Sequence, residues 1–425
     1  MAGNPLPAAL DLRPGEGAAV AWAALTFFAI LAGYFVLRPV RDALVLDGDP
    51  AFIPWLFTAT FIVMIAVAPP WGALVARLPR GRFVPLVYRA FALQLLGFAL
   101  LVEREVAPVA VGRVFYVWLS VFNLFVVSVF WSLCADLSRP EQGRRLFGPI
   151  AAGGTAGALA GPALTRLLVE HVEPAALLVL GALTLEAAVW SARALDRAAR
   201  RLSSAAPAAS AAPAAPAVED APVGGHALGG FAGVARSPYL LGIAAYALCA
   251  ACLATFVYLR QAEIVKAALP DRAARTAFFA EVELWTGAAT ILIQGLLTAR
   301  LLRWLGAGVV LAILPVAQGA GALALGASPT LGVATAVSAG SRAATHALSR
   351  PARELLFTAV SREDKYKAKN LIDTLVYRFG DFASAWLFRG LAVAGIAAAA
   401  IAVPLAAAWV ALALALGVGL RRRAP

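Results

Sequence analysis

Charge is what this sequence has least of. Of its 425 residues, 14% are Asp, Glu, Lys or Arg, 61% are hydrophobic, and mean hydropathy is +0.80. A soluble domain carries about a quarter of its residues as charges, so a water-exposed globular fold is excluded and the outer surface must meet lipid. Basic residues lead, with a net charge of +12, yet they sit in short clusters between apolar runs and form no basic domain. That distribution speaks for membrane topology and against a nucleic-acid partner. The three cysteines, Cys134, Cys249 and Cys252, lie in or beside apolar runs. The pair in "CAAC" shares a helix face, but no His or further Cys stands nearby, so it reads as packing rather than as a redox or metal pair. With no metal cluster, nucleophile elbow or complete nucleotide-hydrolysis motif, neither an enzyme nor a metal or cofactor site is expected.

What the chain does have is apolar runs. Crossing ~30 Å of hydrocarbon takes about 20 residues of helix, and twelve stretches qualify: 18–38, 52–76, 83–102, 108–134, 146–169, 174–194, 238–259, 276–299, 304–326, 330–350, 369–390 and 395–420. The first is full length and follows mostly polar or turn-forming residues, which predicts a retained span rather than a cleaved signal. Arginines crowd the loops after spans 2, 4, 6, 8 and 10 and the "RRR" tail, so both termini are expected in the cytoplasm. Two loops break that trend, 1–2 with Arg38 and Arg41, and 7–8 with Arg260, Lys266, Arg272 and Arg275. Positive charge on the disfavoured side needs a local reason. Residues 195–236, rich in Ala, Pro, Ser and Gly, read as a flexible cytoplasmic linker. The linker divides the chain into an N-terminal six-helix bundle, 1–194, and a C-terminal one, 237–425.

The halves resemble each other. "GALVARLPR" (72–80) and "GLLTARLLR" (295–303) match at an offset of 223, and "SRPEQGRR" (138–145) meets "SREDKYKA" (361–368) at the same offset. Two six-helix repeats in parallel orientation are the architecture of major facilitator transporters. The loop "GALVARLPRGR" resembles that superfamily's loop pattern, with Ala76 where an acid is usual. The expected fold class is therefore an all-α polytopic membrane protein of twelve transmembrane helices. In span 5, Gly153, Gly157 and Gly161 recur every four residues, a stripe for close helix packing.

Ionisable groups within spans usually face the protein interior or a wet cavity. Span 11 carries Asn370, Asp373, Tyr377, Asp381 and Ser384 at helical spacing, with Arg378 beside Asp381. Span 10 carries Ser338, Arg342, Thr345 and Ser349, with His346 adjacent. Span 4 carries Arg113, Tyr116, Ser120 and Asn123, and span 8 carries Glu281, Thr286, Thr290 and Gln294, with Glu283 near Glu281. At the end of span 1, Arg38 and Asp42 stand four apart and are expected to pair, leaving Arg41 as a ligand.

Three stretches carry a more specific resemblance: Tyr34, Leu37-Arg38 and Arg41-Asp42; "FWSLCADLSRPEQGRRLFGPIAAGGTAGALAG" (130–161); and "KYKAKNLIDTLVYRFGD" (365–381). In patches along its length the chain resembles the ATP/ADP translocase family, nucleotide antiporters of plastids and intracellular bacteria. The resemblance implies that Arg41 takes the place of the family's span-1 basic residue. The family's span-11 basic position falls on Asp381 with reversed charge, and Asn123 is the nearest polar group to the expected span-4 acid.

The expected activity is secondary transport of a small anionic solute by alternating access, with nucleotides or phosphorylated metabolites as the favoured class. Arg38, Arg41, Asp42, Arg113, Asn123, Arg342, Tyr377, Arg378 and Asp381 are the candidate binding residues, and Glu281, His346 and Asp373 the candidate coupling groups. The alternative is proton-coupled transport of a non-nucleotide metabolite or drug; a non-transporting scaffold or sensor is a third reading. The expected setting is a monomer, multi-pass in the inner (cell) membrane.

Overall fold

In hydrocarbon a backbone must satisfy its own hydrogen bonds, and a single-chain solution with long apolar runs is the α-helix. The computed structural model describes residues 13, 16–77, 80–137, 140–205, 234–360, 368–369 and 371–423, and helices account for nearly all of them. In order they are α1 (Glu16–Val45), α2 (Ile53–Arg77), α3 (Arg80–Glu103), α4 (Pro108–Leu137), α5 (Pro140–Leu168) and α6 (Pro174–Ala205). There follow α7 (Pro238–Ala268), α8 (Arg272–Ile293), α9 (Ala299–Ala327), α10 (Leu331–Ala344), α11 (Tyr377–Val393) and α12 (Ala399–Arg423). Helix α10 runs on through a π-helical turn, Thr345–Ser349, into Arg350–Leu356. Helix α6 continues to Ala205, past the linker boundary read at 194; most of the remaining linker lies outside the described residues, as does the loop at 361–367.

Among the described residues, eight helical stretches are by themselves long and apolar enough to cross a membrane. One of them, Arg272–Ala327, is 56 residues long and holds spans 8 and 9, broken by Gly306 in a left-handed conformation (φ 76°). Spans 5, 10 and 11 are not among the eight.

The described residues fall into two compact units. The first draws on Met1–Gly48, Ile62–Ala217 and Asp271–Leu284, the second on Asp49–Phe61, Val218–Pro270 and Trp285–Pro425. Each thus takes in a segment from the other half of the sequence. Adding 223 to 49–61 gives 272–284, so the two exchanged segments are equivalents under the offset found in the sequence. Helix starts repeat likewise, α4 and α10 by 331 − 108 = 223 and α1 and α7 by 238 − 16 = 222.

In the first unit α1 packs against α4, α5 and α6, and α3 lies on α4 and α6. The glycine stripe allows the α1–α5 approach: a Cβ at Gly161 would stand 2.5 Å from the Ala32 carbonyl oxygen, and one at Gly157 would collide with the Phe28 carbonyl. Phe27 of α1 stacks on Phe130 of α4 with ring centroids 4.6 Å apart. Polar groups in this interior are spent locally, as where Thr26 donates to Ser191 at 2.9 Å. Glu16 at the N-terminus of α1 accepts from Arg145 and from Gln142, each at 3.0 Å, placing an anion where the helix dipole favours one.

In the second unit α7 meets α10, α11 and α12, and α9 meets α10 and α12. Here α9 and α12 cross at glycines, a Cβ on Gly308 lying 2.8 Å from Gly417 Cα.

Replacing Gly157 by Leu is expected to force α5 off α1. Overpacking of this kind costs about 1–3 kcal/mol or more, whereas Gly148→Ala, in the same helix with open space around it, should leave thermal unfolding in detergent unchanged.

Candidate functional site

Charged side chains gather at the end of α1. Arg38 Nη1 donates to Glu283 Oε2 of α8 at 3.0 Å, and Glu283 is 4% exposed. Asp47, in the turn after α1, lies between two arginines of α8: its Oδ1 accepts from Arg275 Nη2 at 2.9 Å, and Arg272 Nη2 stands 2.8 Å from Oδ2 as an ion pair. Arg275 also donates to the Ala43 carbonyl. Arg41 donates through Nε and Nη2 to Asp42 Oδ1, at 2.9 and 2.6 Å. Its guanidinium lies 4.5 Å from the ring centre of Tyr116 on α4, a cation–π contact. Arg113, one turn before Tyr116, approaches the chain at Gly48, where its Nη2 would be 3.7 Å from an added Cβ. Among the described residues, the guanidiniums of Arg38, Arg41, Arg113, Arg272 and Arg275 thus gather at the end of α1 with the carboxylates of Asp42, Asp47 and Glu283, in a largely buried setting.

The structure redistributes the expected pairs. Arg38 and Asp42 do not bond to each other; Arg38 turns to Glu283, and Asp42 takes Arg41. On α8, Glu281 is exposed and Glu283 buried, so the carboxylate facing α1 is the neighbour of the one singled out from sequence. Asp47, Arg272 and Arg275 were missed as site residues, although the basic residues in loops 1–2 and 7–8 were the signal. Their local reason is now visible for Arg38, Arg272 and Arg275, which each meet a carboxylate.

Asn123 of α4 is half-buried and has no hydrogen-bond partner among the described residues. Ser120 donates back to the Tyr116 carbonyl at 3.0 Å. Under the 223-residue offset, Arg38 corresponds to Gln261 and Glu283 to Thr60, both in the second unit. Gln261 is 0% exposed and neither of its amide atoms has a partner among the described residues; the buried Thr60 hydroxyl has none either.

The second unit holds the other candidates. Asp381 of α11, 8% exposed, accepts from Thr255 of α7 at 3.3 Å and from Arg378 at 3.4 Å. Ser384, one turn on, donates to the Gly380 carbonyl. Tyr377 and Arg378 are half-buried, as are Arg342 and His346 of the α10 stretch. Asp373 is instead exposed and pairs with Arg353 at 2.7 Å. The cause is a π-helical turn, Ile372–Val376. Such a turn inserts an extra residue, so counting by threes and fours fails across it. Asn370 lies outside the described residues. A π-turn also carries His346 and Ser349, and Ser349 meets the Tyr246 hydroxyl at 2.9 Å. A third, Gln294–Thr298, follows α8, and Thr298 donates to the Ala347 carbonyl at 2.8 Å. These turns are frequent at functional sites.

Glu283→Gln would leave Arg38 without its anion. Losing one partner of a buried pair is expected to cost about 3 kcal/mol, read as lower thermal stability in detergent. The double change Arg38→Gln with Glu283→Gln should recover part of that loss, because the Arg38 charge is then no longer stranded.

No protein-family model and no curated protein sequence matches the chain. Solved structures do resemble it. A bacterial homologue of the human lysosomal transporter Spinster, inward-facing, aligns over 96% of this chain and 98% of its own at 14% identity and a TM-score of 0.64. The nucleoside transporter NupG aligns over 96% and 100% at 14% identity and 0.62. A bacterial homologue of the iron transporter ferroportin, also inward-facing, aligns over 96% and 99% at 16% identity and 0.61. Likeness at such identities is likeness of fold, and this chain is a multi-pass membrane protein with the major facilitator type of fold.

Proposed function

We propose that the protein is a secondary transporter of a small anionic solute, working by alternating access in the inner membrane. The observation that carries this reading is the gathering of five guanidinium groups, among the described residues, at the end of α1 in a largely buried setting. Charge is retained in spans where it has work to do, and guanidinium suits the bidentate binding of phosphate and carboxylate. The transporters that share the fold support the general activity. The stretches resembling ATP/ADP translocases favour nucleotides or phosphorylated metabolites as substrate, with Arg41 and Arg113 as ligands.

Counter-flow into proteoliposomes with labelled ATP, ADP and phosphate tests this. Exchange of at least one of them is expected, and Arg41→Lys should reduce it about tenfold by keeping the charge but losing the planar fork. Absence of counter-flow with all three would overturn the nucleotide and phosphate assignment.

A second reading has its own observation. Asp381 is buried and held by one arginine and one hydroxyl, both at long distance, an arrangement that leaves a carboxylate able to take a proton during transport. It predicts uptake driven by a pH gradient and abolished in Asp381→Asn, with solute counter-flow retained. Unchanged pH coupling in that variant would remove Asp381 from the role.

A further inference from the structure

Two hollows in the second unit meet at Glu263, Phe388 and Ala392, between α7, α11 and the start of α12. One, about 290 Å³, is apolar at depth, lined by Phe256, Val257, Leu325 and Ala402, all buried. The other, about 340 Å³, is bounded by Arg389 and Lys266 together with Asp49. Each volume lies near the lower end of the range for small-ligand sites.

The charges sort themselves. Glu263 is engaged by Arg260 at 2.8 Å, and Asp49 caps the short helix Pro50–Phe52 by accepting from Ala51 N. Arg389 donates to the Ala51 carbonyl at 2.9 Å and lies 5.6 Å from the Trp386 ring centre. It meets no carboxylate among the described residues, although it stands at the bundle end where arginine is disfavoured by the loop pattern.

The rim adds an independent observation. The turn from α11 to α12, residues 393–398, reads "VAGIAA" and has no polar side chain. Val393 is 84% exposed and Ile396 46%. The turn lines the apolar hollow through Ile396, Ala397 and Ala398, so an apolar surface frames its mouth.

We propose that this double hollow is a lipid site, taking one anionic glycerophospholipid. An acyl chain fills the apolar hollow, and the phosphate meets Arg389, with Lys266 at the same end. Arginine accounts for the head-group preference and the polar-free turn for access from the membrane.

The test is native mass spectrometry of the full-length protein, delipidated and then offered phosphatidylglycerol or phosphatidylcholine of matched chains. Preferential retention of phosphatidylglycerol is expected. It should fall about five-fold in Arg389→Gln, the scale of one basic contact to an anionic head group, and be lost in Ala392→Trp, which fills the junction from an exposed position. Equal retention of the two lipids by the unaltered protein, or retention unaffected in both variants, would overturn the proposal. So would displacement of the lipid by glycerol phosphate alone, which would mark the site as one for a free anion. The comparison of lipids on the unaltered protein stands even if a variant fails to fold.

Discussion

A guanidinium taken out of water must meet an anion, a carbonyl or an aromatic face, and that requirement organises the charged end of α1. Arg38, Arg41, Arg272 and Arg275 each have such a partner, and several partners lie far away in sequence. The pairing of α1 with α8 follows: Glu283 and the two arginines on Asp47 hold the start of α8 in the first unit, although it belongs to the second half of the chain. Buried pairs of this kind add little net stability, because desolvation offsets the attraction, but losing one member is costly. They specify which helices meet rather than how tightly.

Much of the fold was legible in the sequence, because hydropathy and repeat offsets are local or additive signals. The apolar runs predict the helices, the offset of 223 recurs in helix starts and in the exchanged segments, and the glycine stripe of α5 lies against α1 as its spacing implies. The site was legible only in its residue types. Arg378 beside Asp381 could be read from spacing, since both lie in a regular helix. Asp373 could not, because the π-turn ahead of Tyr377 shifts its register. Nor could Glu283 be chosen over Glu281 without knowing which face of α8 turns inward. Long-range partners such as Asp47 with Arg275 leave no trace in local pattern, except as arginines in an unexpected loop.

The repeat recurs in the order and approximate spacing of the helices and is loose in chemistry. Positions equivalent to the Arg38–Glu283 pair hold Gln261 and Thr60, so an ionic contact in the first unit has an uncharged counterpart in the second. Burying an amide or a hydroxyl without a hydrogen bond is itself unfavourable, so the second unit carries polar groups at this level without the gain of a pair. Two halves of common architecture thereby differ energetically at matched positions.

The exchanged segments also bear on how the polypeptide comes to be assembled. Residues 271–284 complete a unit that otherwise begins at the N-terminus and is threaded long before them. During insertion the first bundle must therefore wait, with the end of α1 and its arginines lacking Glu283, until α8 emerges. The order of synthesis leaves the first unit an unfinished intermediate until residues 271–284 are made.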